Sequence, residues 1–331
     1  MPVTSGIHRL VGCAVIAVST VMPAVAAHAA PTPAPDAPIR INSARAVVAT
    51  DVTLPGTRVR LRESPGDPLA VTSYTVGDLA FLRRGEAFAK QGGYQEITVA
   101  PLGAKALAIP DAYSSGHDSV LLADLVAEKA TRVQTVRKPL VAHFAHWSRD
   151  GRKVVLTVRR RNGTAWEATG FVIVDAVAKT ARTVTVPGVD PAARFRWTPD
   201  NAQLVAAYKG GTRFYGQDGE VRRTLAKTGA PAGGEDVFSP SGRGLTTWCP
   251  AGHAEDVCVW DRVSGRLAAK VNLGAKALLG WWDEKSFVAV VSGAGAYRAV
   301  VVTLKGKGLR VLADISADDW NKRIYLSYTR S

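Results

Sequence analysis

The chain is poor in the residues that most often build reactive centres. Three cysteines, two methionines and six histidines occur in 331 residues. It contains no zinc motif, no calcium-binding loop, no phosphate-cradling glycine loop and no Gly-x-Ser-x-Gly nucleophile elbow. We therefore expect no bound cofactor or metal, and the sequence nominates no catalytic residue.

Helical heptads are also absent, and beyond the first thirty residues no apolar run approaches the roughly 20 residues that span a bilayer. What the chain has instead is valine, threonine, tryptophan and tyrosine between glycine- and proline-rich interruptions, which favours strands. Apolar residues make up 47% and charged residues 21%, ordinary globular usage that allows a sizeable core.

Residues 1–30 have the layout of a secretory signal peptide. A short start whose only charged side chain is Arg9 precedes the largely apolar Leu10–Ala27, and Ala27-His28-Ala29 offers small residues at a cleavage site. The alternative is an uncleaved membrane anchor, which Ser19 and Thr20 disfavour. We expect cleavage and a secreted or otherwise extracytoplasmic protein.

Residues 31–38 are proline-rich and predict an extended linker, followed by one domain over residues 39–331. Removal of the leader takes Cys13 with it and leaves Cys249 and Cys258 as a pair. In an oxidising compartment this pair predicts a disulfide, with reduced thiols as the alternative. A metal site would need more ligands than the single histidine between the two cysteines.

The net charge of +14 favours anionic partners such as cell-envelope polymers, lipid headgroups or acidic proteins. The densest basic cluster is Arg159-Arg160-Arg161, just before the Asn162-Gly163 turn. It is a weak candidate for surface binding, and a solvated hairpin tip is the alternative. No nucleic-acid motif accompanies the charge, so we expect no nucleic-acid partner.

One short pattern recurs along the chain: an aromatic residue, a polar turn and then an apolar strand. The copies begin at Trp147, Trp197, Phe238 and Trp282, with spacings of 50, 41 and 44 residues. A hairpin later in each unit keeps the same period. Units of this length with four short strands predict an all-β propeller, in which the aromatic anchors fill space between neighbouring blades.

Five such units follow Tyr94, and a sixth blade must be assembled from both ends of the chain. We expect a hairpin over Val59–Tyr74 to complete the unfinished unit over residues 318–329, closing the ring and removing its open edges. Six four-stranded antiparallel blades result. Seven is the alternative if strands lie within Val76–Gly93, a stretch that otherwise leaves room for a short helix.

Trp147-Ser148-Arg149-Asp150-Gly151-Arg152-Lys153 resembles the repeat of TolB-like (WD40-like) propellers, an aromatic-Ser-Pro-Asp-Gly-Lys stretch before a strand. Phe238-Ser239-Pro240-Ser241-Gly242 matches it as well, whereas Trp282-Asp283-Glu284-Lys285 lacks the turn. The resemblance covers residues 94–329. It implies the propeller fold and leaves function open, because the motif is structural in that superfamily.

Several pairs of polar residues invite a chemical interpretation. His143 and His146 lie three apart, and on a strand such residues face opposite sides, which is poor metal geometry. His117-Asp118 could be a catalytic dyad but has no nucleophile. The pairs Glu255-Asp256 and Asp318-Asp319 are adjacent in sequence, which does not give the opposed arrangement of glycosidase acids.

Three functions therefore remain open. The first is a monomeric, non-enzymatic propeller that binds a protein or an anionic envelope polymer with its loops or central channel. The second is a propeller hydrolase or lyase acting on an extracellular substrate. The third is an envelope-attached structural or transport-accessory subunit.

Overall fold

A computed structural model describes residues 50–330. The predicted signal peptide, the proline-rich linker and residues 39–49 of the predicted domain lie outside the described residues. Twenty-five strands and one helix of five residues make up the described chain, and the strands form six antiparallel sheets. The prediction of a six-bladed β-propeller is confirmed. Within residues 50–330, no helix has the length and apolarity to cross a membrane.

Three consecutive blades are regular, each with four strands that follow one another from the channel outward. Blade 2 contains β6 (Tyr94–Val99), β7 (Lys105–Pro110), β8 (His117–Asp124) and β9 (Lys129–Arg137). Blade 3 contains β10 (Val141–Trp147), β11 (Lys153–Asn162), β12 (Ala165–Asp175) and β13 (Thr180–Thr185). Blade 4 contains β14 (Arg196–Trp197), β15 (Gln203–Tyr208), β16 (Gly211–Gly216) and β17 (Val221–Leu225).

Blades 5 and 6 depart from this regular pattern. Blade 5 contains β18 (Gly244–Trp248), β19 (Val257–Asp261) and β20 (Leu267–Val271), and a bridge between Phe238 and Leu245 stands where the innermost strand would be. Blade 6 contains β21 (Ala275–Asp283), β22 (Ser286–Gly293), β23 (Ala296–Thr303) and β24 (Gly308–Ser316). An N-terminal pair, β1 (Thr50–Thr53) and β2 (Arg60–Glu63), extends blade 6 to six strands, β2 pairing with β24.

Blade 1 closes the ring with a strand from the other end of the chain. Its order is β25 (Tyr325–Arg330), β3 (Leu69–Val76), β4 (Leu79–Arg84) and β5 (Ala87–Gln91), so the C-terminal strand is innermost. The terminal segments thus close the ring as expected. The predicted Val59–Tyr74 hairpin is wrong, however, because β2 and β3 belong to different sheets.

The stretch Val76–Gly93 also differs from expectation, since it forms two strands and no helix. Gly77 and Gly85 each adopt positive φ, at 55° and 61°, where the chain reverses between strands. Such left-handed positions favour glycine and tight turns. These strands complete blade 1 and add no seventh blade.

The recurrent turn after each anchor is held by its own side chains. In blade 3, Ser148 Oγ donates to Asp150 Oδ1 at 2.6 Å and accepts the backbone N–H of Lys153 at 2.9 Å. Thr198 repeats both contacts in blade 4, with Asp200 and Gln203. This explains why a hydroxyl residue and an aspartate two positions later recur in the pattern.

The anchors lie where adjacent blades meet. Trp147, Trp197 and Phe238 are all at most 5% exposed, and the Trp147 indole donates to the Thr98 carbonyl of the preceding blade at 3.3 Å. In blade 6 the equivalent contact, to the Val237 carbonyl, comes from Trp281. The repeat position there belongs to Trp281, one residue before the predicted Trp282, which is only partly buried.

The hydrophobic core consists of the layers between neighbouring blades. One buried cluster joins Leu107 and Val120 of blade 2 to Val154 and Leu156 of blade 3, and similar clusters lie between the other blades. A single sheet would leave two apolar faces in water, so each blade depends on both neighbours. Ring closure is therefore a condition for the stability of every blade.

Asp319 tests this closure, because its buried carboxylate links the two ends of the chain. It accepts the Arg58 backbone N–H at 3.0 Å and the Ser316 hydroxyl at 2.6 Å. Asp319→Ala leaves a buried donor unpaired and should lower the free energy of unfolding by about 1–3 kcal/mol in denaturant titrations.

Asp318→Ala is the matched control, since Asp318 is exposed and pairs with Lys322 one helical turn away. That change should cost less than about 0.5 kcal/mol. Equal effects of the two substitutions would contradict a closing role for Asp319.

Candidate functional site

A cavity of about 690 Å³ opens at one end of the central channel and is lined by all six blades. The repeat explains which residues line it. In each blade the residue three positions before the anchor faces the cavity, the anchors being Val99, Trp147, Trp197, Phe238, Trp281 and Tyr328. The lining residues are Glu96, Phe144, Arg194, Glu235, Leu278 and Tyr325. We call this space the wide cavity.

Glu96 joins blade 2 to blade 3 across the wide cavity. Its two carboxylate oxygens accept the backbone N–H groups of Phe144 at 3.0 Å and Ala145 at 2.7 Å. Phe144 has φ of 58°, an unfavourable left-handed conformation for an aromatic residue, and the carboxylate helps to hold it there. Burial raises the pKa of the Glu96 carboxyl from 4.5 to about 7, although these two hydrogen bonds lower it.

Glu235 provides a second carboxyl group in the wide cavity. It accepts hydrogen bonds from Ser327 Oγ at 2.7 Å and Thr98 Oγ1 at 3.3 Å. Burial raises its pKa as well, while Ser327 and Arg196 act in the opposite direction. The negative charge of Glu235 also contributes to the raised pKa of Glu96.

Three cations also line the wide cavity: Arg194, Arg196 and Lys276. The Arg194 guanidinium lies 4.0 Å from the ring centroid of Phe144, a cation–π contact. Arg196 is more enclosed, and burial lowers its pKa while leaving it protonated near neutral pH. Arg194 and Lys276 are exposed to solvent.

Tyr325 carries a phenol into the same space. Its side chain is 43% exposed, but the surface it exposes belongs to the wide cavity, so protein surrounds it. Burial, and then the charge of Glu235, raise the pKa of this phenol. The group is therefore a neutral hydrogen-bond donor near neutral pH.

Both histidines of the His143/His146 pair line the wide cavity, which corrects the expectation that they face opposite sides of a strand. The register of β10 shifts between them, at the positive-φ residue Phe144. Burial lowers the pKa of His143 to about 4 and that of His146 to about 3, so both rings are neutral at neutral pH. His146 Nδ1 accepts the Trp197 backbone N–H at 3.4 Å, which places the ring proton on Nε2.

A second cavity of about 350 Å³ lies toward the other end of the channel and shares His146 and Glu235 with the wide cavity. Its walls are mainly apolar and include Trp147 and Trp281. Arg149 at its edge pairs with Asp236 at 2.8 Å and also donates to three backbone carbonyls. Arg149 is thus bound within the protein, whereas Arg194 and Lys276 of the wide cavity are exposed.

The predicted basic cluster lies beside the wide cavity. The Arg159 guanidinium carbon lies 5.2 Å from the Phe144 ring centroid. Arg159 is at one end of the β10–β11 pair, and the anchor turn is at the other end. Arg160 and Arg161 are exposed on the β11–β12 hairpin, whose strands of 10 and 11 residues are the longest described. This hairpin ends at the same face as the wide cavity.

Other predicted pairs serve structural roles away from the channel. Asp118 is buried and accepts backbone N–H groups of Ser119 and Ala142, while the His117 ring contacts the Ser115 carbonyl. Asp256 likewise accepts backbone N–H groups of the segment leading to β21. Both carboxylates therefore bind the backbone.

Cys249 and Cys258 form the predicted disulfide between β18 and β19. Among the described residues, the only close group of three potential metal ligands is these two cysteines with His253. Because the two sulfur atoms are bonded to each other, the group offers no thiolate and only the imidazole.

Sequence reasoning missed Glu96, Arg194, Arg196 and Glu235, although one regularity pointed to them. Each is a charged residue one or three positions before an anchor. Inner strands of a propeller face the channel, so a charge at these positions is a candidate for the channel lining.

The sequence matches no protein-family model and no curated protein. Solved structures do resemble the fold. An oligogalacturonate lyase in complex with manganese has a TM-score of 0.53 and 14% identity, over 79% of this chain and 83% of its own. A protein of unknown function from Desulfotomaculum acetoxidans has a TM-score of 0.49 and 14% identity, over 85% and 99%. At these identities the likeness concerns the fold alone.

The raised pKa of Glu96 can be measured directly. Between about pH 4.5 and about pH 7 the folded protein holds a proton that the unfolded chain has released, so this group makes stability fall as pH rises through that window. In a carbon-detected NMR titration of the glutamate carboxyls, we expect one resonance, absent in Glu96→Gln, with a midpoint near pH 7.

Glu255 is the internal control, because its contact with Lys270 holds its pKa below the ordinary value. A Glu96 midpoint as low as that of Glu255 would contradict the enclosed setting described for Glu96.

Proposed function

We propose that the protein is an exported, non-enzymatic propeller that binds an anionic cell-envelope polymer at the wide cavity. The observation that carries this proposal is the charge of the lining: it contains three cations and two carboxyl groups, and the pKa values of both carboxyls are raised. A cavity of this kind attracts anions, and protonation of either carboxyl increases the attraction.

The size of the site supports a polymer segment as the ligand. A volume of about 690 Å³ falls in the range of small-molecule pockets, enough for a few residues of a chain. Beyond the rim, Arg160 and Arg161 on the long hairpin offer further positive charge to the rest of a longer ligand. The aromatic ring of Phe144 and the phenol of Tyr325 add surfaces suited to sugar rings and hydroxyls.

Two further points belong to the proposal. The hydroxyl–aspartate turns after Trp147 and Trp197 support membership of the TolB-like (WD40-like) superfamily. The disulfide supports an extracytoplasmic location, as the leader-like residues 1–30 do.

A carboxylate-bearing oligosaccharide is the ligand class that we favour. Planar carboxylates match arginine donors, and the structurally similar oligogalacturonate lyase is named for such a polymer. A lyase is the second candidate function, because a carboxyl group with a pKa near 7 beside an arginine could act as a general base. Turnover would appear as ultraviolet absorption from an unsaturated product, whereas a binding protein returns the oligomer unchanged.

Arg194 tests the binding proposal, since its guanidinium is both exposed and in the wide cavity. Arg194→Ala should weaken binding of tri-galacturonate by about 10- to 100-fold in calorimetry, the loss expected for a charge-assisted contact. Arg222→Ala is the control, because Arg222 lies on the outer strand β17 and pairs with Asp218 and Glu220. Equal affinity of the two variants would refute the site.

The affinity should also depend on pH. Glu96 is largely protonated at about pH 6 and ionised at about pH 8, while the ligand carboxylates stay ionised throughout. Binding should therefore be several-fold tighter at the lower pH, and Glu96→Gln should flatten this dependence. Tighter binding at the higher pH would contradict the assigned sign.

A further inference from the structure

Within residues 50–330, the four most exposed large apolar side chains all lie on turns at one face of the propeller. Leu102 is 82% exposed, Val126 81%, Val263 70% and Val177 57%. Leu102 lies between the first two strands of blade 2, and the three valines lie between the last two strands of blades 2, 3 and 5. Antiparallel order places both kinds of turn at the same end of a blade, away from the wide cavity. We call this end the anchor face.

Backbone hydrogen bonds confirm that these two kinds of turn are neighbours. The Leu125 N–H donates to the Ala104 carbonyl in blade 2, and Ala176 donates to Arg152 in blade 3. Arg262 donates to Arg243 in blade 5 in the same way. Lys179 of blade 3 is also near enough to Asp124 of blade 2 to contribute to the lowered pKa of that carboxyl. The tips of blades 2 and 3 are therefore adjacent.

Each valine is held outward by a rigid turn. The carboxylates of Asp124, Asp175 and Asp261 each accept the backbone N–H groups of the valine and of the residue after it, at 2.7–3.1 Å. The side chain at such a tip makes no contribution to the turn itself, and β-branched residues are poor turn formers. The structure of the turn therefore does not explain why valine occupies this position in three blades.

Leu102 presents the same conflict more strongly. Its φ of 69° is a conformation that favours glycine or asparagine, and its side chain extends into solvent. A large apolar residue is unfavourable at this position both because of the left-handed backbone conformation and because its side chain is exposed to water. Local conflicts of this kind in an otherwise consistent fold point to a surface selected for contact with something else.

Cations accompany the apolar tips of blades 3 and 5, whereas the turns of blade 2 hold Lys105 and Lys129 against Asp124 and Glu128. The anchor-face turns of blades 3 and 5 (148–153, 175–180, 239–244 and 261–266) hold seven lysines and arginines against three aspartates. Arg149 and Arg262 pair with Asp236 and Asp200. Lys179, Arg243 and Arg266 are exposed, and Arg243 makes a long contact of 3.7 Å with Asp261. Val221, Leu267 and Leu309 add exposed apolar surface close to the start of outer strands at this end.

We propose that the anchor face docks on an anionic lipid surface, with Leu102, Val126, Val177 and Val263 entering the interface and the neighbouring cations facing the headgroups. Rigid apolar tips ringed by lysine and arginine are suited to shallow insertion, and the charge gives selectivity for anionic lipid. Docking in this way leaves the wide cavity facing away from the membrane.

Residues 31–331, which lack the predicted leader, can be tested by co-sedimentation with vesicles of phosphatidylcholine alone or mixed with phosphatidylglycerol. We expect binding to the anionic vesicles that weakens with salt. Leu102→Ser/Val126→Ser/Val177→Ser/Val263→Ser should reduce this partitioning by about tenfold or more. Lys179→Gln/Arg243→Gln/Arg266→Gln should reduce binding and remove most of its salt dependence.

Leu79→Ser/Trp166→Ser is the matched control, since these exposed apolar residues lie at hairpins of the opposite face. Arg194→Ala tests whether vesicles bind through the wide cavity instead. Unchanged melting temperatures show that the variants fold. Failure to bind anionic vesicles, binding that survives the loss of the four tips, or loss of binding in Arg194→Ala would overturn the proposal. None of these outcomes bears on tri-galacturonate binding.

Discussion

Closure of the ring is the constraint on which the rest of this structure depends. Each blade is a sheet with two apolar faces, and every interblade layer needs a partner on both sides. The chain meets this need twice, by adding β1 and β2 to blade 6 and by placing β25 innermost in blade 1. Strand β25 also contributes Tyr325 and Ser327 to the channel lining. The fold is thus completed by the same strand that completes the candidate site.

The channel gains its chemical character from this arrangement. Carboxyl groups from blades 2 and 5 and cations from blades 4 and 6 converge in one cavity, where burial raises the pKa of the acids and lowers that of Arg196. Such perturbed groups cluster at functional sites more often than elsewhere. The opposite face has a different character, with rigid apolar tips among cations. A protein that holds an envelope polymer at one face and a membrane at the other would connect the two.

The repeat was predictable from sequence because it is local. Anchor, turn and strand follow one another within about ten residues, and the hydroxyl–aspartate turn carries its own hydrogen bonds. Strand pairings between distant segments were harder to predict. Nothing within residues 59–74 reveals that β2 pairs with β24 while β3 pairs with β25. Trp281 and Trp282 are equally aromatic, and only the strand register decides which one is buried. The site was missed for a similar reason: Glu96 and Arg194 both stand three positions before an anchor, but only the ring geometry brings them to one cavity.

A crystal structure with tri-galacturonate bound tests the central claim most directly. The proposal predicts electron density for the ligand in the wide cavity, with at least one of its carboxylates within hydrogen-bond distance of Arg194 or Arg196. Density at another face, or a wide cavity that stays free of ligand at saturating concentration, would contradict it.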